Sequence, residues 1–179
     1  MTTIIENMRA CLSGKTKGVN NDTDLTFGEG YKFYLYSSNG STTEGSTSDE
    51  IIYFVPSEHG GERSMSFVMD RIYGHKNSDI FVSHVETVVK KAAELKNQFL
   101  EVPITVFIPG STMGSCSVGM SAEELATRVD LPLGATARDV ASGRFNVPES
   151  GFGDHYIEFG EGDARKFGER NVSGVEIVL

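Results

Sequence analysis

A long amphipathic segment at residues 77–99 constrains the fold of this chain more than any other feature. Its apolar residues recur at the period of one helical face: Phe81, Val85, Val88, Ala92, Leu95 and Phe99. The charged residues of the segment fall mostly off that stripe. A helix with one apolar face must bury it against another layer, so the pattern predicts a helix that covers a sheet.

Residues 101–144 contain three further patterns in succession. Alternating apolar residues predict a strand at 102–108. A Gly/Ser-rich segment follows at 109–119 and contains Cys116. Ser121 then stands as the N-cap of a helix, with Glu124 as its capping-box partner.

Other segments complete the predicted elements. A turn at 131–134 leads into a second short helix at 135–142. Residues 65–73 fit a strand or a helix, and we favour a helix or a mixed segment. Runs rich in aromatic and β-branched residues predict strands: 31–36, 51–55, 155–159 and 175–179.

Two polar tracts interrupt these elements. Residues 1–30 indicate an N-terminal arm or loop, and residues 37–50 form a Ser/Thr/Gly tract too poor in apolar residues to order by itself. The sequence therefore predicts an α+β fold, with a mixed or antiparallel sheet packed against the helix at 77–99. The domain covers 31–179, as one unit or as two packed lobes, 31–100 and 101–179.

Composition argues for a globular chain and against two classes of partner. Of the 179 residues, 39% are hydrophobic and 23% are charged. These values are ordinary for a domain that folds without a stabilising disulfide or metal. The net charge of −9 argues against nucleic acid, which requires clustered Lys and Arg. No apolar run is long enough to span a bilayer and the N-terminus lacks a signal peptide pattern, so we expect a soluble cytoplasmic protein.

Cys116 is the sharpest candidate for a catalytic residue. A thiol ahead of a helix N-terminus has its thiolate stabilised by the helix dipole, and His155, preceded by Asp154, would serve as the base. This order of groups is typical of a cysteine peptidase or amidase. The alternative is a structural thiol, because Cys116 stands well before the first helical turn and most chains contain one Cys and one His.

Residues 121–144 resemble the helix-turn-helix with which bacterial sigma factors read promoters. The turn at 131–134 and a second helix with Arg138 and Arg144 carry this resemblance. It implies a nucleic-acid binder. Acidic residues oppose that function because they face phosphate with the wrong charge: Glu123, Glu124, Asp130 and Asp139.

The sequence predicts no metal site and no cofactor. The histidines have no metal-ligand spacing, and they are His59, His75, His84 and His155. Residues 13–16 end like a phosphate-binding loop but lack its first glycine, and residues 20–31 lack the glycine and glutamate of a calcium loop. His84 lies off the stripe of the long helix and is predicted to be solvated.

Residues 103–179 resemble a ubiquitin-like β-grasp domain of the kind appended to some synthetases and GTPases. Residues 104–110, 121–126 and the final strand at 175–178 carry the likeness. The resemblance implies an interaction module rather than a catalyst.

These patterns favour a non-catalytic, acidic module that binds another protein. A small accessory or inhibitor protein of viral or mobile-element origin would have this character. Its contact surface is predicted at exposed aromatics and loops, among them Tyr34, Tyr36 and the flanks of 37–50, while a place in the core is the alternative for the two tyrosines. A cysteine-dependent hydrolase and a helix-turn-helix nucleic-acid binder stay open as alternatives, and no oligomeric state follows from the patterns.

Overall fold

A computed structural model describes residues 7–8, 10–12, 15–17, 23–27, 32–38, 47–59, 62–74, 78–109, 121–146 and 169–179. Asn7, Met8, Ala10 and Cys11 have helical backbone. The mixed sheet, the long helix and hence the α+β class are confirmed. Within the described ranges the strands and helices are β1 (Lys15–Lys17), β2 (Thr23–Phe27), β3 (Lys32–Ser38), β4 (Thr47–His59), β5 (Glu62–Gly74), α1 (Ser78–Gln98), β6 (Ile104–Pro109), α2 (Ala122–Arg128), β7 (Thr136–Asn146) and β8 (Glu169–Val178).

Helix α1 forms where the apolar stripe predicts it. Phe81, Val85, Val88, Ala92 and Leu95 are all buried, so the stripe does face another layer. Past the last helical turn, the Lys96 ammonium donates to the carbonyl oxygens of Leu100 and Val102, at 2.7 and 2.8 Å. These bonds hold the chain as it turns from α1 into β6.

The strands form one mixed sheet in the order β1-β2-β3-β4-β5-β6-β8-β7. β5 and β6 are parallel, which requires a crossover connection, and α1 supplies it. The other neighbours are antiparallel. The end of β4 also pairs with β7, through Ser57 with Phe145 and Glu58 with Arg144. This extra pairing closes β4, β5, β6, β8 and β7 into a ring.

The helices lie outside this ring. Eight strands leave an interior just wide enough for side chains, so five strands cannot enclose a helix about 10 Å in diameter. We call the face under the helices the outer face, on which the rings of Phe54 and Phe67 lie 4.7 Å apart. The sheet residues in the outer-face core are Ile52, Phe54, Met65, Phe67, Met69, Ile104, Val106, Ile108, Val175 and Ile177.

The alternate positions along these strands point into the ring, because successive residues of a strand point to opposite faces. We call this the inner face. Its residues are buried although no helix covers them, since the ring itself removes them from water. They are Tyr53, Val55, Ser57, Ser66, Val68, Thr105, Phe107 and Glu176.

The prediction that His84 is solvated is wrong, because its side chain has no exposed surface. Helix α1 contacts β2 and β3 as well as β5 and β6, so the sheet covers more of the helix than its apolar stripe. Ser83 and Thr87 are buried too, and the Thr87 hydroxyl donates to the Ser83 carbonyl at 2.8 Å.

The two helices expected from weak local patterns are both strands. Residues 65–73 belong to β5, where Phe67, Val68 and Met69 are all buried. A strand that is covered on both faces has a continuous apolar run, and periodicity cannot distinguish that run from a helix. The helix predicted at 135–142 is wrong, because β7 begins at Thr136 and pairs with β8 at 136–140 and again at 143–146, with a bulge between Val140 and Gly143.

Parts of both polar tracts lie in described strands. Within 1–30, β1 and β2 are strands rather than arm or loop, and β2 pairs with β3 through Leu25 with Leu35 and Phe27 with Phe33. Both ends of the 37–50 tract belong to strands, because Ser37 and Ser38 pair with Ser48 and Thr47. Backbone hydrogen bonds to a neighbouring strand hold these strand residues in place. Such bonds require no apolar periodicity, so the sequence pattern does not reveal them.

Candidate functional site

One row of inner-face positions crosses all five strands of the ring, and it ends in a buried charge. The register aligns Tyr53, Val68, Phe107, Glu176 and Arg138 from β4 to β7. The first four side chains have no exposed surface. A carboxyl group beside aromatic and aliphatic neighbours is costly to bury unless a cation accompanies it.

Arg138 supplies that cation. Its Nε and Nη2 atoms both donate to Oε1 of Glu176, at 2.9 and 2.6 Å. Nη2 also lies 3.8 Å from Oε2 of Glu62, a residue at the start of β5 whose side chain is largely exposed. The Arg138 side chain is itself 48% exposed, so it extends from the buried carboxyl group to the rim of the ring. The three residues tie β5, β7 and β8 together at that rim.

A chain of hydroxyl groups joins β4, β5 and β6 on the inner face. Ser57 Oγ lies 2.8 Å from Ser64 Oγ and hydrogen-bonds to Ser66 Oγ, and Ser66 Oγ bonds in turn to Thr105 Oγ1. The bonds satisfy polar groups that burial would otherwise destabilise. A serine becomes a nucleophile when a base takes its proton. Each hydroxyl here bonds to another hydroxyl, so these bonds stabilise the fold and do not activate a nucleophile.

The outer side of β7 is held by helix α2. The backbone N–H of Ala122, the first residue of α2, donates to Oδ1 of Asp139 at 3.2 Å. The predicted N-cap is confirmed, because Ser121 Oγ accepts from the N–H of Glu124 at 3.2 Å. Arg138 and Asp139 are consecutive residues of a strand and therefore point to opposite faces. The bond to Glu176 holds β7 on the inner face, and the bond from Ala122 holds it on the outer face.

The predicted turn before β7 is confirmed, and it presents a leucine to solvent. The N–H of Ala135 donates to the carbonyl of Pro132 at 3.0 Å, and Gly134 has a φ of +85°, as the third residue of a type II turn requires. Leu131 packs against the core at the start of the turn. Leu133 has a relative exposure of 107%, which is complete exposure of a large apolar side chain.

Next to this turn, β7 pairs with a described strand on one of its two edges. Among the described strands, β4 pairs with β7 only at Arg144 and Phe145, whereas β8 lines the opposite edge of β7 from Thr136 onwards. Residues 136–140 therefore have no described strand on their second edge, and each of them is exposed or half-buried. We call Leu133 and residues 136–140 the β7 edge.

The predicted site residues have different outcomes. Cys116, Asp154 and His155 lie outside the described residues, so the cysteine hydrolase stays a prediction. The helix-turn-helix at 121–144 is wrong as a structure, since its second helix is β7. The backbones of Tyr34 and Tyr36 lie in β3, and their side chains are outside the description. Within the described ranges, no group of three or more His, Cys, Asp or Glu residues could hold a metal ion.

Sequence reasoning missed the Arg138–Glu176 pair. Arg138 was predicted on a helix, and the pairing joins residues 38 positions apart. One signal was present, because Glu176 interrupts the apolar run of Val175, Ile177 and Val178. A charge between apolar neighbours in a strand indicates either a solvated face or a buried ion pair.

No family model, curated protein or solved structure matches this chain. The resemblance of 103–179 to a β-grasp domain stays a prediction. In the part of the chain that the structure describes, no helix is both long and apolar enough to cross a membrane.

Proposed function

We propose that this chain is a non-catalytic, acidic protein-binding module, an accessory or inhibitor protein that binds its partner through the β7 edge. The complete exposure of Leu133 is the observation that carries the proposal. An apolar side chain of this size gains free energy when a partner removes it from water, at about 25 cal/mol per Å² of buried apolar surface.

The rigidity around Leu133 supports the proposal. The hydrogen bond from Ala135 to Pro132 closes the turn, and Gly134 adopts its positive φ without strain. Arg138 and Asp139 hold the strand that follows the turn. A surface that is ordered before binding loses less conformational entropy when the partner docks. The β7 edge therefore has both an apolar contact and a fixed backbone to offer a partner.

The test compares Leu133→Ala with the unaltered chain as bait for a lysate of the source organism. Quantitative mass spectrometry identifies a stoichiometric partner, which is then purified for titration calorimetry. We expect Leu133→Ala to weaken its affinity by about tenfold, the effect of truncating a central apolar contact. The control is Glu94→Gln, because Glu94 is exposed on α1 and pairs with Lys91 at 3.6 Å on the surface of the same helix.

The proposal fails if the unaltered chain retains no stoichiometric partner, or if the purified partner binds Leu133→Ala as tightly as the control. Cys116→Ala separates this function from the hydrolase alternative. Binding that survives the loss of the Cys116 thiol agrees with a non-catalytic module, whereas substrate turnover that disappears with the thiol contradicts it.

A further inference from the structure

The open part of β7 is suited to pairing with another extended backbone. Residues 136–140 span about 17 Å at the usual rise of a strand, and alternate residues direct their N–H and C=O groups towards the open edge. Adding a strand to such an edge is an established mode of peptide recognition. The ion pair with Glu176 and the hydrogen bond from Ala122 of α2 hold the strand from its two faces at Arg138 and Asp139.

The charge around this edge is acidic. Asp139 is exposed on the strand, and Glu123 and Glu124 are exposed in the first turn of α2, whose first amide binds Asp139. Glu62 is exposed at the rim on the other face. The positive charge of Arg138 is already engaged by Glu176 and Glu62. A basic segment therefore complements the edge, and the net charge of −9 favours its approach.

A second copy of this chain complements the edge poorly. Two copies related by a two-fold axis pair as antiparallel strands, and the register that uses all of 136–140 is centred on Arg138. It brings together two edges that carry the same exposed acidic residues, Asp139, Glu123 and Glu124. Like charges repel each other, so the edge favours a different protein.

From these observations we infer that the β7 edge binds an extended segment of a partner protein, rich in Lys or Arg with interspersed apolar residues, by adding it as a strand. This inference rests on the proposed function and names the class of partner. The basic residues of the segment face the acidic rim, and its apolar residues reach Leu133.

Three short synthetic peptides test the inference on the full chain. The first alternates Lys and Val, the second alternates Glu and Val, and the third has the Lys/Val sequence with alternate backbone nitrogens methylated. Fluorescence anisotropy measures their affinities, and amide hydrogen exchange locates the binding site. We expect the Lys/Val peptide to bind at least about tenfold more tightly than the Glu/Val peptide, to protect amides within 136–140, and to lose binding on methylation.

Asp139→Asn tests the charge while keeping the acceptor oxygen for Ala122. It should weaken binding of the Lys/Val peptide and reduce its salt dependence, whereas Glu94→Gln removes the same charge from α1 and should change neither. Equal affinities for the Lys and Glu peptides, undiminished binding of the methylated peptide, or protection confined to other residues each overturns the inference.

The outcome also separates this inference from the proposed function. A partner protein that requires Leu133 but leaves the amides of 136–140 unprotected sustains the proposed function and refutes strand addition. If neither a partner protein nor the Lys/Val peptide binds, both are refuted.

Discussion

Arg138 on β7 donates two hydrogen bonds, at 2.9 and 2.6 Å, to a single oxygen of Glu176 on β8, a carboxyl group with no exposed surface. The pair lies at the end of an inner-face row that is otherwise aromatic and aliphatic. It connects the interior of the ring with the strand whose edge we propose as the binding surface. Stability and binding should therefore both respond to changes at this pair.

Arg138→Ala should lower the free energy of unfolding by about 3 kcal/mol, because it leaves Glu176 buried without its cation. Urea unfolding followed by far-UV circular dichroism measures the loss. The double variant Arg138→Leu with Glu176→Leu should recover most of it, since a pair of apolar residues carries no desolvation cost. In the cycle with the single variants Arg138→Leu and Glu176→Leu, losses that simply add in the double variant would show that the two residues do not act as a pair.

Gly174→Ala should destabilise the fold by about 2 kcal/mol or more, as overpacking does in a rigid interior. An added Cβ would lie 2.2 Å from the carbonyl oxygen of Ile108 and 2.9 Å from Cζ of Phe107. The comparison is Gly134→Ala, where nothing lies within 4 Å and only the positive φ is strained, at a cost of about 1 kcal/mol. In thermal unfolding, the midpoint of Gly174→Ala should be lower than the midpoint of Gly134→Ala. The reverse order would contradict the close approach of β8 to β6.

Leu133→Asp should leave the thermal midpoint unchanged, because the side chain contacts little and is fully exposed. Leu125→Asp is the contrasting variant, since Leu125 on α2 is 1% exposed and belongs to the outer-face core. Leu125→Asp should unfold the chain or expose an apolar surface that binds a hydrophobic dye. A large drop in midpoint for Leu133→Asp would mean that Leu133 is covered in solution, which would remove the basis of the proposed function.

Ser121→Ala should cost about 1 kcal/mol by removing the side-chain acceptor for the N–H of Glu124. Helix α2 has seven residues, so losing its cap affects most of its length. Ser121→Asp retains an acceptor oxygen and should be close to the unaltered chain in chemical denaturation. If both substitutions cost the same, the hydroxyl group does not cap α2.

Elements with a strong local pattern could be predicted from the sequence. The stripe of α1, the alternation in β6 and the N-cap at Ser121 each combine residues that are close along the chain. The turn at 131–134 belongs to the same class, because Gly134 alone supplies the positive φ that the turn needs. The α+β class follows from these elements.

Elements that depend on distant partners could not be predicted in this way. Residues 65–73 and 135–142 have no decisive period, and they are strands because β6 and β8 pair with them. The hydroxyl chain from Ser57 to Thr105 and the burial of His84 are likewise set by neighbours from other parts of the chain.

The sequence by itself determined where the long helix, its following strand and the capped helix lie, because their periodicity and end signals are local. Only the tertiary structure decided that five strands close into a ring, that Arg138 meets Glu176 and that residues 136–140 have a described strand on one edge alone. The physical reason is that hydrogen bonds between strands and the pairing of a buried charge depend on which distant residues become neighbours. A pattern of nearby residues does not carry that information.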